Sequence, residues 1–90
     1  MKSRDVIKGS LQNKGFALKS GADHFRFIYM TKSGKKTAIN TKISHGSKYK
    51  MITDNLLAQM SKQCRLSKAD FINLIDCPLS RDEYESKLNI

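Results

Sequence analysis

Near the start of the chain, apolar positions recur at helical spacing. Val6, Ile7 and Leu11 share one side of a segment that Ser3 can cap and Gly15 can stop. Phe16 to Lys19 reads as a short strand and Ser20-Gly21-Ala22 as a turn. From Asp23 to Met30 aromatic residues alternate with other types, the clearest strand signal in the chain. Thr31 to Lys35 is a hairpin loop in which Gly34 can supply a positive φ, and Lys36 to Ile43, dense in Thr and Ile, is the returning strand. Polar residues from Ser44 to Tyr49 predict a loop. Ile52, Leu56, Leu57 and Met60 then share one face of a second helix, expected from about Lys50 or Ile52 to Cys64. Ser67-Lys-Ala-Asp70 has the form of a capping box opening a third helix with Phe71, Ile72, Leu74 and Ile75, which Pro78 ends. Ser80-Arg-Asp-Glu83 is a second capping box, predicting a short helix over Arg81 to Leu88.

The order is α-β-β-β-α with further C-terminal helices: an α+β fold with helices on one face of a three-stranded antiparallel sheet. Ninety residues suffice for a single domain, with a core over about 1–75 and residues 76–90 as an appended helical tail. At 39% hydrophobic residues the composition is that of a folded chain. Apolar runs fall far short of the roughly 20 residues that span a bilayer, so no membrane partner is expected. No apolar stretch follows Lys2 and Arg4 as in a secretory leader, and two cysteines are too few for a disulfide scaffold; the expected compartment is the cytoplasm.

Charge changes the picture most. Seventeen Lys and Arg against eight acidic residues give a net charge of +9. Residues 1–65 carry +11 with only Asp5, Asp23 and Asp54 opposing, whereas residues 66–90 carry −2. So positive a field concentrates polyanions, and nucleic acid is the leading partner class; a lysine-rich solvated surface is the plain alternative.

The period of two divides the strands into faces. Phe25, Phe27 and Tyr29 point one way, towards the helices, and His24, Arg26, Ile28 and Met30 the other. In the returning strand Thr37, Ile39, Thr41 and Ile43 oppose Lys36, Ala38, Asn40 and Lys42. With the apolar sets inward, His24 and Arg26 share an open face with Lys36, Asn40 and Lys42, a histidine among cations and an amide that suits a phosphodiester. A register slip of one residue would invert this. Histidine exchanges protons near neutrality. RNA carries its own nucleophile in the 2′-OH, so cleavage at such a site needs a base or acid and cations, with neither metal nor cofactor. A strand histidine is also commonly just a polar surface residue, and both readings of His24 stand.

A series of landmarks adds to this: Asn13-Lys14-Gly15-Phe16, then Gly21-Ala22-Asp23-His24-Phe25-Arg26-Phe27, then Ile43-Ser44-His45, Lys62-Gln63-Cys64-Arg65-Leu66-Ser67, and Asp70-Phe71. Over most of residues 1–75 the chain resembles the HicA toxins of toxin–antitoxin modules. There a helix ends at Gly-Phe/Trp, Gly-Ser-His-His-x-Phe opens the second strand, and a later helix ends in Lys-Gln-x-Gly-Leu-Ser. The resemblance implies a double-stranded-RNA-binding-like α-β-β-β-α fold, a metal-independent messenger-RNA endonuclease and a HicB-like antitoxin as partner. Aligning Phe27 with the motif Phe puts His24 on the catalytic first histidine, whereas aligning Gly21 with the motif Gly puts it on the second. Ala22 and Asp23 replace Gly-Ser, Phe25 replaces the second histidine, and Arg65 stands where the family has glycine.

On this reading His24 acts as base on the 2′-OH or as acid to the leaving oxygen, leaving a 2′,3′-cyclic phosphate and a 5′-hydroxyl. Arg26 and Lys42 hold the phosphate, and Lys48 and Lys50 extend the backbone track. His45, in a loop with Gly46, Ser47, Lys48 and Tyr49, reads equally as an RNA contact or as a solvated loop residue. A non-catalytic RNA-binding module of the same fold has the same signature. Zinc is not expected, because Cys64, Cys77, His24 and His45 lack ligand spacing. DNA contact is not expected either: a helix-turn-helix over Met51–Cys64 and Ser67–Ile75 would have a recognition helix with one Lys, no Arg, and Asp70 and Asp76.

Overall fold

A computed structural model describes residues 2–21, 24–44, 46, 50–76 and 78–89. The elements are β1 (Lys2–Ser3), α1 (Arg4–Asn13), β2 (Phe16–Ser20), β3 (His24–Met30), β4 (Lys36–Ser44), β5 (Met51–Ile52), α2 (Asp54–Gln63), α3 (Lys68–Asp76) and α4 (Arg81–Leu88). Strands β2, β3 and β4 form an antiparallel sheet with β3 in the centre. The N-terminal helix, three-stranded sheet and following helices match the α+β expectation. Among the described residues no helix is long and apolar enough to cross a membrane.

Alternation sets the core. Phe27, Tyr29, Ile39, Thr41 and Ile43 are buried on the sheet face that meets the helices, together with Phe16 from β2. Ile7 and Leu11 of α1, Leu57 and Met60 of α2, and Phe71, Leu74 and Ile75 of α3 close over them. Val6 departs from the expected helix face: it is 52% exposed, because it falls outside the Ile7–Leu11 stripe that meets the core.

The chain between β4 and α2 differs from the expectation. Ile52 lies in a two-residue strand, not in the helix. Met51 and Ile52 pair with Ser3 and Lys2, and Arg4 N–H donates to the Lys50 carbonyl at 2.8 Å. Helix α2 therefore starts only at Asp54, where the Thr53 hydroxyl caps Leu56 N–H. Its other end is a Schellman turn: Leu66 N–H reaches the Ser61 carbonyl and Arg65 N–H the Lys62 carbonyl. Arg65 takes the left-handed position at φ 61°, a conformation that favours glycine.

The last helix is a full member of the core. Its capping box is complete, with both Ser80–Glu83 contacts formed. Tyr84 is fully buried, its ring 5.8 Å from Phe16 and 5.0 Å from Tyr29, and its hydroxyl donates to the Cys64 carbonyl at 2.9 Å. Leu79 is buried as well, and its carbonyl accepts from Lys14 Nζ. Gly15, at φ 102°, completes the joint, because a Cβ there would stand 2.6 Å from Arg81 Nε. Arg81 in turn donates to the Met30 carbonyl at 2.8 Å. The segment set apart by sequence as an appended tail thus closes one end of the core.

Candidate nucleic-acid interface

The register of the sheet places the candidate residues. Lys19, Arg26 and Lys42 are successive partners across β2, β3 and β4, so they form one row on the face away from the helices. Asn40 sits opposite Ile28 in the next outward row, and Lys36 opposite Met30 beyond an irregularity at Tyr29. The Thr37 hydroxyl satisfies the Tyr29 carbonyl at that irregularity, 2.8 Å away. His24 pairs with Ser44 at the other end of the row direction and is half-buried. Arg26, Lys36, Asn40 and Lys42 are all exposed, and the Asn40 amide donates locally to the Ala38 carbonyl.

Five candidates therefore share one surface: His24, Arg26, Lys36, Asn40 and Lys42. Lys19 joins them and was not singled out by sequence. The strand alternation of β2, read through its pairing with β3, is the signal that would have found it. Lys50 is exposed beside the β1–β5 pair, where its carbonyl accepts from Arg4 N–H. His45 and Lys48 lie outside the described residues, as do Ala22, Asp23 and Cys77.

Charge is sorted between the two sides. No acidic residue occurs in β2, β3 or β4. The acids of the C-terminal helices are already occupied. Asp76 pairs with Lys2 at 2.6 Å, Asp82 with Lys32 at 2.5 Å, and Asp70 with Lys87 at 3.3 Å, while Asp54 of α2 faces Lys68 at 3.9 Å. Among the described residues no acidic side chain pairs with Lys19, Arg26, Lys36 or Lys42.

A cleft of about 200 Å3 opens where the free side of β4 meets α2. His24, Lys42, Ser44, Gln59 and Gln63 provide polar groups, and Ile43, Ile52, Leu56 and Met60 provide apolar surface. His24 and Lys42 thus belong both to the cationic face and to this cleft. Gln63 is held by the buried Thr41 hydroxyl, which donates to its Oε1 at 2.6 Å.

Perturbed titrations lie on the opposite side, where α4 meets the sheet. Burial, reinforced by a hydrogen bond to Glu85, pushes the Tyr29 hydroxyl up to about 12. The bonds from Tyr29 and from Lys32 N–H hold the Glu85 carboxyl below the usual range. Burial alone raises the Cys64 thiol to about 12, which makes it an inert apolar group. Among the described residues no three His, Cys, Asp or Glu side chains gather as metal ligands. No family model matches the chain, and neither a curated protein nor a solved structure matches it.

Proposed function

We propose that this protein binds RNA on the outer face of its sheet and cleaves it without a metal, as the toxin of a HicA-like toxin–antitoxin module. The observation that carries the reading is the unneutralised row Lys19–Arg26–Lys42 with His24 beside it, on strands that hold no acid. Three cations in register at strand spacing match a polyanionic backbone, and among the described residues no ion pair to them has to break before a phosphate binds. Arg26 and Lys42 hold the scissile phosphate. His24 takes the 2′-hydroxyl proton or gives one to the leaving 5′ oxygen; the 2′ oxygen attacks phosphorus, and a 2′,3′-cyclic phosphate and a 5′-hydroxyl result. The succession of α1, three strands and α2 supports the double-stranded-RNA-binding-like fold proposed with it. Arg65 supports it too, since its left-handed backbone lies at the position where the family pattern has glycine. A HicB-like antitoxin with an acidic surface is the partner proposed for the same face, and the cytoplasm is the compartment.

A second reading, a non-catalytic RNA-binding module, draws on one observation. Among the described residues none hydrogen-bonds the His24 imidazole, whereas a general base is commonly oriented by a partner. Incubation of the protein with mixed-sequence RNA in EDTA, beside His24→Ala, separates the two. The toxin reading expects wild-type cleavage leaving 5′-hydroxyl ends, lost in His24→Ala while RNA affinity is kept. RNA binding by both proteins with cleavage by neither leaves the binding module.

A further inference from the structure

We infer that the cleft between β4 and α2 receives one unstacked nucleobase of a single-stranded RNA and favours a base that presents carbonyl oxygens, uracil or guanine, over adenine. The inference rests on the proposal that the outer face binds RNA, and it adds where the base goes and which kind is preferred.

Position argues first. His24 and Lys42 belong to both the cationic face and the cleft, so a phosphate held on the face has a neighbouring base within reach of the opening. A double helix keeps its bases stacked and paired, whereas a single strand can turn one out. Size argues second. At about 200 Å3 the cleft is smaller than the roughly 300–1,000 Å3 of sites for drug-sized ligands, and it suits a single ring system. Leu56 and Met60 give apolar surface for the flat faces of a ring. The polar groups argue third. Gln63 Oε1 is taken by Thr41, which leaves the amide N–H groups of Gln63 as donors. The two N–H donors of that amide match the acceptor oxygens of uracil, or O6 and N7 of guanine, and oppose the exocyclic amine of adenine. Gln59 offers both a donor and an acceptor.

The test is an NMR titration of the methyl groups of Leu56 and Met60 and the amides of β3 and β4. The probes are uridine 3′-monophosphate, adenosine 3′-monophosphate and inorganic phosphate, with hexauridylate and hexaadenylate affinities measured in parallel. The expected result is that uridine monophosphate shifts the Leu56 and Met60 methyls, that inorganic phosphate shifts only the strand amides, and that hexauridylate binds about fivefold tighter than hexaadenylate. The double variant Thr41→Val/Gln63→Leu removes both hydrogen-bond partners at once, so no buried group is left unpaired. It is expected to abolish the preference while retaining hexaadenylate binding. Gln63→Glu, at an exposed position, keeps an acceptor for the Thr41 hydroxyl and removes the amide donors, so it gives the same readout should the double variant fail to fold. Methyls that stay unmoved while RNA still shifts the β3 and β4 amides would overturn the base cleft and leave the RNA-binding reading intact. Equal affinity for the two oligonucleotides would overturn the base preference. Absence of any RNA binding would overturn both.

Discussion

The two sides of the central sheet have been given different work by the same strands. The inner side carries Phe27, Tyr29, Ile39, Thr41 and Ile43, all buried in the core that the helices close over. The outer side carries Lys19, Arg26, Lys36 and Lys42 with no acid among them. The acids at the C-terminal end are matched to cations outside the three-stranded sheet: Lys2 of β1, Lys32 of the β3–β4 loop and Lys87 of α4. Folding and binding are therefore separable. Substitutions on the inner side and at α4 should move stability, and substitutions on the outer side should move affinity, with little crossing between them.

The inner side gives the largest expected effect. Tyr84 is fully buried between Phe16 and Tyr29, and its hydroxyl satisfies the Cys64 carbonyl. Tyr84→Ala should cost about 3–5 kcal/mol in chemical denaturation, a large share of the roughly 5–15 kcal/mol typical of a domain. Tyr84→Phe keeps the ring packing and should cost only about 1 kcal/mol. If Tyr84→Ala melted like the wild type, α4 would be dispensable and would not close the core.

A smaller effect of opposite sign is expected at Arg65. Its left-handed backbone carries a steric cost of about 1–2 kcal/mol, which glycine would relieve at the expense of some unfolded-state entropy. Arg65→Gly should raise stability by about 0.5–1 kcal/mol, read as an increase in denaturation midpoint at unchanged slope.

The smallest effect is on the pH profile. The Tyr29 and Lys32 hydrogen bonds hold the folded-state pKa of Glu85 below its ordinary value. Its contribution is therefore present above the ordinary glutamate pKa and is lost as pH falls through the depressed one. Glu85→Gln should make the acid limb of stability against pH shallower. Tyr29 acts at the other end with the opposite sign. Its pKa is raised to about 12, so above the ordinary value of 10.0 the unfolded chain loses the proton first and stability declines. Tyr29→Phe should flatten that alkaline limb.

Much of this arrangement was legible in the chain, for identifiable reasons. The alternation in β3 and β4 gave the two faces because burial on one side of a sheet is written with a period of two. The Ser80–Glu83 capping box was readable because both partners lie within one turn. Long-range pairing was not readable. The β1–β5 pair joins residues some fifty positions apart through two residues each, too short to show a period, and it displaced the start of α2 from about Lys50 or Ile52 to Asp54. Burial of Tyr84 was hidden for another reason: its helix is polar at nearly every other position, and its partners Phe16 and Tyr29 are distant in sequence. At the candidate site, His24, Arg26, Asn40 and Lys42 followed from one strand pair. Lys19 required the pairing of β2.

The separation of the two sides is tested most directly by one measurement: the salt dependence of RNA affinity for the wild type and for the triple variant Lys19→Ala/Arg26→Ala/Lys42→Ala, with melting curves of both. Each lost phosphate contact on a single strand should lower the slope of log affinity against log salt by about 0.7. The account predicts a slope reduced by about 2 and a stability within about 0.5 kcal/mol of the wild type. An unchanged slope would place RNA binding elsewhere on the molecule. A collapse of the melting transition would show that the outer row holds the fold after all.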